Sequence, residues 1–180
     1  MLIKKRLKLS NCMQRRSLLK LGLGATALLA VAGGGFALIK PDVSDGRLTA
    51  GAAAVFHAVA KAVLDKSLPP LQSQRDSQLQ AHWQRLTATV AGFPLPTQTE
   101  LSQLLALLAS TPGRRLIAGL HTDWPDADVA EIQASLERMR TSSLKLRQQI
   151  YHALRDLTNA AYYADPIAWP LMGYPGPVAV

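Results

Sequence analysis

The chain of 180 residues has a single cysteine, Cys12. No intramolecular disulfide, thiolate set for an iron-sulfur cluster or Cys-x-x-Cys redox pair can be built from one thiol. Strand-like alternation is missing throughout, so there is no strand-to-helix glycine loop to cradle a phosphate. Histidine is scarce and scattered: His57, His82, His121 and His152 fall on four segments with no partner at a ligand-like offset, which removes the usual support for a metal site. Acid is absent from the first twenty residues, where seven of the twenty bases lie (Lys4, Lys5, Arg6, Lys8, Arg15, Arg16 and Lys20). The net charge of +8 is therefore mostly a property of the front, and thirteen bases face twelve acids in the remainder. Later bases are dispersed apart from Arg114-Arg115 and the run Arg138, Arg140, Lys145, Arg147, which on one continuous helix would wrap around it. Nucleic acid is not an expected partner.

What is present at the front is the layout of an export signal: a basic region up to Arg16, then an apolar run through residue 39. Arg15-Arg16, followed by Ser17, Leu18, Leu19 and Lys20, resembles the twin-arginine signal, with Gln14 where Ser or Thr is usual and Leu18 where Phe is common. Residues 1–39 are read as this signal helix, and the expectation is periplasmic export with inner-membrane association. Ala30-Val31-Ala32 offers a cleavage pattern. The apolar run of about 22 residues also suffices to span a bilayer of roughly 30 Å, but three consecutive glycines make a poor anchor helix, so cleavage is the expectation and retention as an anchor the alternative.

Residues 40–180 read as one all-α domain of about four to six helices, with a long C-terminal helix and an extended Pro/Gly-rich tail over 165–180. An alanine-rich helix is expected from Arg47 to Asp65 and a second from Ser73 to Val90, where Leu79, Trp83, Leu86 and Val90 repeat at helical spacing. Thr97-Gln98-Thr99-Glu100 has capping-box spacing and is expected to open a leucine-rich, central helix. A brief helical turn is expected over Arg114–Leu120, and Asp128 to Glu131 forms a second box. From there to Tyr163 no Pro or Gly intervenes, giving one long helix or two with a bend near Thr141-Ser142-Ser143.

Catalytic groups are not visible in this pattern. His121-Thr122-Asp123 could pair a base with an orienting acid, but helix capping by Asp123 or a neighbour is the simpler reading. The distinctive feature is the end. Tyr151, Arg155, Thr158 and Tyr162 recur at spacings of four, three and four beside the leucine stripe, and Trp169 with Gly173, Tyr174, Pro175, Gly176 and Pro177 follows in an uncharged run. Tyr, Trp and Arg are enriched at interface hot spots, so these ten residues form the candidate partner interface. The alternative is that they pack on the domain itself.

The order Leu154-Arg155-Asp156-Leu157-Thr158, the pair Tyr162-Tyr163, Trp169, and Gly173-Tyr174-Pro175-Gly176-Pro177 resembles the small subunit of periplasmic flavin dehydrogenases, the gluconate 2-dehydrogenase subunit 3 type. The likeness extends through Glu100-Leu101, Leu104 to Leu108, Pro112 to Leu116, and Trp124. It implies a non-catalytic subunit with no cofactor of its own. Its implied partner is a large FAD-binding subunit of the glucose-methanol-choline oxidoreductase type, escorted folded through the twin-arginine translocase, with electrons passing to a cytochrome c subunit or quinone. The alternative is a stand-alone periplasmic or membrane-anchored structural protein whose tail folds back.

Overall fold

The computed structural model describes residues 43–44 and 47–176; the signal segment with Arg15, Arg16, Leu18, Leu19 and Lys20, as well as Pro177, lies outside them. The described part is helical. Its strand content is one short antiparallel ladder of β1 (Val43–Ser44) and β2 (Arg47–Leu48), with Val43 opposite Leu48 and Ser44 opposite Arg47. The first helix consequently starts later than expected. Thr49 caps α1 (Ala50–Val63), its hydroxyl accepting from the Ala52 amide, and Arg47 and Leu48 belong to the ladder.

α1 packs against α3 (Leu95–Ala109), α4 (Val129–Arg140) and α5 (Lys145–Tyr163), with α2 (Gln72–Ala91) lying along α5. Centrality therefore belongs to the alanine-rich helix rather than to the leucine-rich one. Small Ala52, Ala58, Ala60 and Ala62 let neighbouring backbones approach, while Val55, Phe56 and Val59 fill the core between them. In α3 only Leu101, Leu105 and Leu108 of the leucines are buried, and Leu95 is exposed.

The expected capping box at Thr97 is not used. α3 begins at Leu95, with Pro94 as N-cap and Pro96 in the first turn, positions where a missing amide costs no helical hydrogen bond. Gln98 instead reaches back with Nε2 to the carbonyls of Ala91 and Phe93, closing α2. The second box is half formed: Asp128 Oδ1 accepts from the Glu131 amide at 2.7 Å, while the Glu131 carboxylate accepts from the Thr122 hydroxyl.

Between α3 and α4 the chain makes a helical turn, Thr111–Gly113, running into a π-helical turn, Arg114–Ala118. Glycine is required at 113, because a Cβ there would lie 1.8 Å from the Leu107 carbonyl oxygen. Trp124 is buried behind this turn and donates from Nε1 to the Leu108 carbonyl at 2.8 Å. The long C-terminal segment is two helices, α4 and α5, separated at Thr141–Leu144. The tail is not extended throughout. Pro166–Met172 forms a 3-10 helix capped by Asp165 Oδ1, which accepts from the Ile167 amide. Pro166 sits at the first helical position, where a missing amide costs no helical hydrogen bond, whereas Pro170 lies inside the helix and forgoes one.

Candidate functional site

The C-terminal end of α5 is built so that no backbone acceptor is left unpaired. An α-helix leaves its last four carbonyls without intrahelical partners. Here Ala160 accepts from the Ala164 amide at 3.1 Å and Tyr162 from the Asp165 amide at 3.2 Å. Ala161 accepts from Arg85 Nε of α2 at 2.8 Å, and Tyr163 from the Trp169 indole at 3.0 Å. The same Arg85 guanidinium pairs with Asp165 through Nη1 at 2.8 Å. One arginine thus ties α2, the last turn of α5 and the start of the tail together.

Beneath that clamp lies a small second core of Ala60, Leu64, Leu68, Leu79, Tyr162 and Ala168. Tyr162 is buried, and its hydroxyl lies 2.7 Å from the Ser67 carbonyl and 3.1 Å from Gln78 Oε1. Burial, then the neighbouring Tyr163, pushes its phenol above the usual range, so it stays a neutral donor. His82, also buried, donates from Nε2 to the Thr158 carbonyl at 3.1 Å. Burial is the largest influence on this imidazole and lowers its pKa, against the raising effect of the Thr158 bond, with Arg85 and His57 adding to the lowering.

The structure separates the candidate interface residues into two groups. Thr158 and Tyr162 are buried within the same chain, the Thr158 carbonyl meeting His82 and the Tyr162 hydroxyl meeting Gln78 of α2, although helical spacing alone had grouped them with Tyr151 and Arg155. Tyr151 is half-buried and packs against the main core, and Arg155 is exposed beside Asp156. Within the tail, Trp169 is half-buried and meets Tyr174 edge-on, ring centres 5.2 Å apart. Gly176, at φ +103, turns the chain against Trp169, where a Cβ would stand 3.3 Å from Cζ3. Gly173, Tyr174 and Pro175 are exposed.

The residues that sequence spacing did not single out are Ile167, Leu171 and Met172 of the 3-10 helix. With Ala168 fully buried and Trp169 turned inward, Ile167 (63% exposed), Leu171 (59%), Met172 (51%) and Tyr174 (45%) face solvent. Four apolar side chains on a segment held by an ion pair, an indole bond and a buried alanine make a preformed apolar surface. A shallow concavity lined by Pro166, Trp169, Pro170, Gly173, Tyr174 and Pro175 adjoins it.

Other candidate groups do not converge. His121 is exposed, Asp123 is paired with Arg114, and Thr122 donates to Glu131, so no base-acid couple forms. The capping role expected near Asp123 falls to Asp128. His57 stacks on Trp83 at 4.7 Å, and burial, with Lys61 adding to it, lowers its pKa. Among the described residues there is no cluster of three or more His, Cys, Asp or Glu side chains, and no helix is long and apolar enough to cross a membrane. The chain matches no protein-family model, no curated protein and no solved structure.

Proposed function

We propose that this chain is the non-catalytic small subunit of an exported FAD-dependent alcohol or sugar dehydrogenase, which escorts its large catalytic subunit through the twin-arginine pathway into the periplasm and stabilises it. The observation that carries the reading is the set of exposed apolar side chains Ile167, Leu171, Met172 and Tyr174, presented on a segment locked to the domain. A preorganised apolar surface loses little conformational entropy on binding, which suits a subunit whose role is to hold a partner. The Arg15-Arg16 pattern and the resemblance of residues 154–177 to the gluconate 2-dehydrogenase subunit 3 type supply the partner's class. FAD would reside on that partner, and onward electron transfer would use a cytochrome c subunit or quinone.

Affinity purification of the tagged chain from its native host tests this. A flavin-containing large subunit should co-purify, and Leu171→Asp/Met172→Asp should abolish the association while leaving the chain folded. Recovery of the chain alone, or dehydrogenase activity unaffected by deleting its gene, would sink the proposal.

A second reading, a stand-alone protein with a self-packed tail, is favoured by buried Ala168 and the Trp169 indole bond. Substitutions at the two faces separate them. Under this reading Trp169→Ala lowers stability and Leu171→Asp/Met172→Asp changes nothing in the cell.

A further inference from the structure

Bases that are dispersed along the sequence meet at the opposite end of α5. The break after Arg140 turns the chain so that the last turn of α4 and the first turn of α5 form a corner, and the π-helical turn lies against it. Arg138 Nη2 donates to the Gly119 carbonyl at 3.0 Å, and Arg147 Nη2 to the Leu116 carbonyl at 2.6 Å. The Arg147 amide in turn donates to the Leu144 carbonyl at 3.0 Å, so one residue holds the backbones of both leucines. Leu116 and Leu144 are 68% and 56% exposed.

Two arginines of this corner are compensated, Arg114 by Asp123 and Arg140 by Glu137. Arg115, Arg138, Lys145 and Arg147 form no ion pair among the described residues; Arg138 and Arg147 bond only to carbonyls, which leaves their charge intact. Lys145 and Arg147 moreover occupy the first turn of α5, which has no acid and no side-chain cap. Positive charge there opposes the helix dipole, so local helix stability does not explain these residues.

We propose that this corner is a docking surface for an anionic lipid bilayer, with Leu116 and Leu144 entering the interface and Arg115, Arg138, Lys145 and Arg147 meeting the headgroups. Charge complementarity argues for an anionic occupant. The two exposed leucines among the bases supply apolar area that an interfacial surface buries and a phosphate backbone does not use, which favours a bilayer over a nucleic acid. The surface is peripheral and requires no spanning helix. It lies about 27 Å along α5 from the tail, far enough for both surfaces to be occupied together. The inference stands without the proposed catalytic partner.

The test places an environment-sensitive fluorophore at Leu144→Cys in the full chain carrying Cys12→Ser, with Leu116→Cys as a second probe site and Leu95→Cys as a control. Vesicles of phosphatidylcholine containing phosphatidylglycerol should shift the emission to the blue at 144 and 116, and leave 95 unchanged. Pure phosphatidylcholine should have no effect. Arg115→Gln/Lys145→Gln, which removes two exposed charges that form no ion pair among the described residues, should raise the lipid needed for half the change by about fivefold per charge, roughly 25-fold together. Several results would overturn the proposal: equal shifts at 144 and 95, which would mean tethering through the N-terminal segment alone; the same response to uncharged vesicles; insensitivity to the double substitution; or no shift with lipid but one on adding nucleic acid or an acidic protein.

Discussion

The two ends of α5 solve the same problem in opposite ways. At Tyr163 all four terminal carbonyls are satisfied, two by the amides of Ala164 and Asp165, one by Arg85 and one by the Trp169 indole. At Lys145 there is no side-chain cap, and the first turn carries bases that the dipole disfavours. One end uses its polar groups to lock a segment in place, and the other leaves charge uncompensated. Saturated backbone hydrogen bonding marks structure, even with the buried Thr158 hydroxyl left without a partner, whereas a broken local rule marks a surface kept for something else.

The largest effect should come from removing what the locked end rests on. Tyr162→Ala empties the second core and strands the Ser67 carbonyl, and should cost about 3–5 kcal/mol in denaturant unfolding. A loss below about 1 kcal/mol would mean that this end is not built on Tyr162. Next, Arg85→Ala should cost about 1–3 kcal/mol. Hydrogen exchange should accelerate over 165–176 and stay unchanged around Lys145; acceleration at both ends would erase the contrast. Gly176→Ala, forced to positive φ against Trp169, should cost about 1–2 kcal/mol and alter the near-ultraviolet signal of that indole.

Acid should also act on the locked end. The imidazole of His82 is lowered in the folded state, so between its folded pKa and the unfolded value of about 6.5 the unfolded chain binds the extra proton. Stability contributed by this residue is complete above that window and falls as pH drops through it. Unfolding midpoints measured from pH 7.5 down to 5 should decline, and His82→Gln should flatten the decline. The smallest effect belongs to the other end: Arg115→Gln/Lys145→Gln should leave stability within about 0.5 kcal/mol of the parent.

The helices were legible because their apolar periodicity is long and their breakers are strong: Pro69-Pro70, Gly92 to Pro96, Pro112-Gly113 and Pro166. The Thr97 box misled because a proline-led start was available two residues earlier. The grouping of Thr158 and Tyr162 with Tyr151 and Arg155 misled for a different reason. A helix has one spacing but several neighbours, and the positions of α1, α2 and the tail determine which side chains become interior. The tail's exposed apolar side chains were hidden because Pro and Gly suggested an extended backbone, whereas Pro166–Met172 winds as a 3-10 helix with three residues per turn, and packing decides which of them are covered.

By itself the sequence determined that the described part of the chain is helical, where most of its helices run, and that it offers no thiol pair from which to build redox or metal chemistry. Those properties are local, set by residue type and spacing. Only the tertiary structure decided which tyrosine is buried, which tail side chains face water, and that bases from three separate segments share one corner. They depend on which helix lies against which, and that balance of packing is spread over contacts distant in the chain.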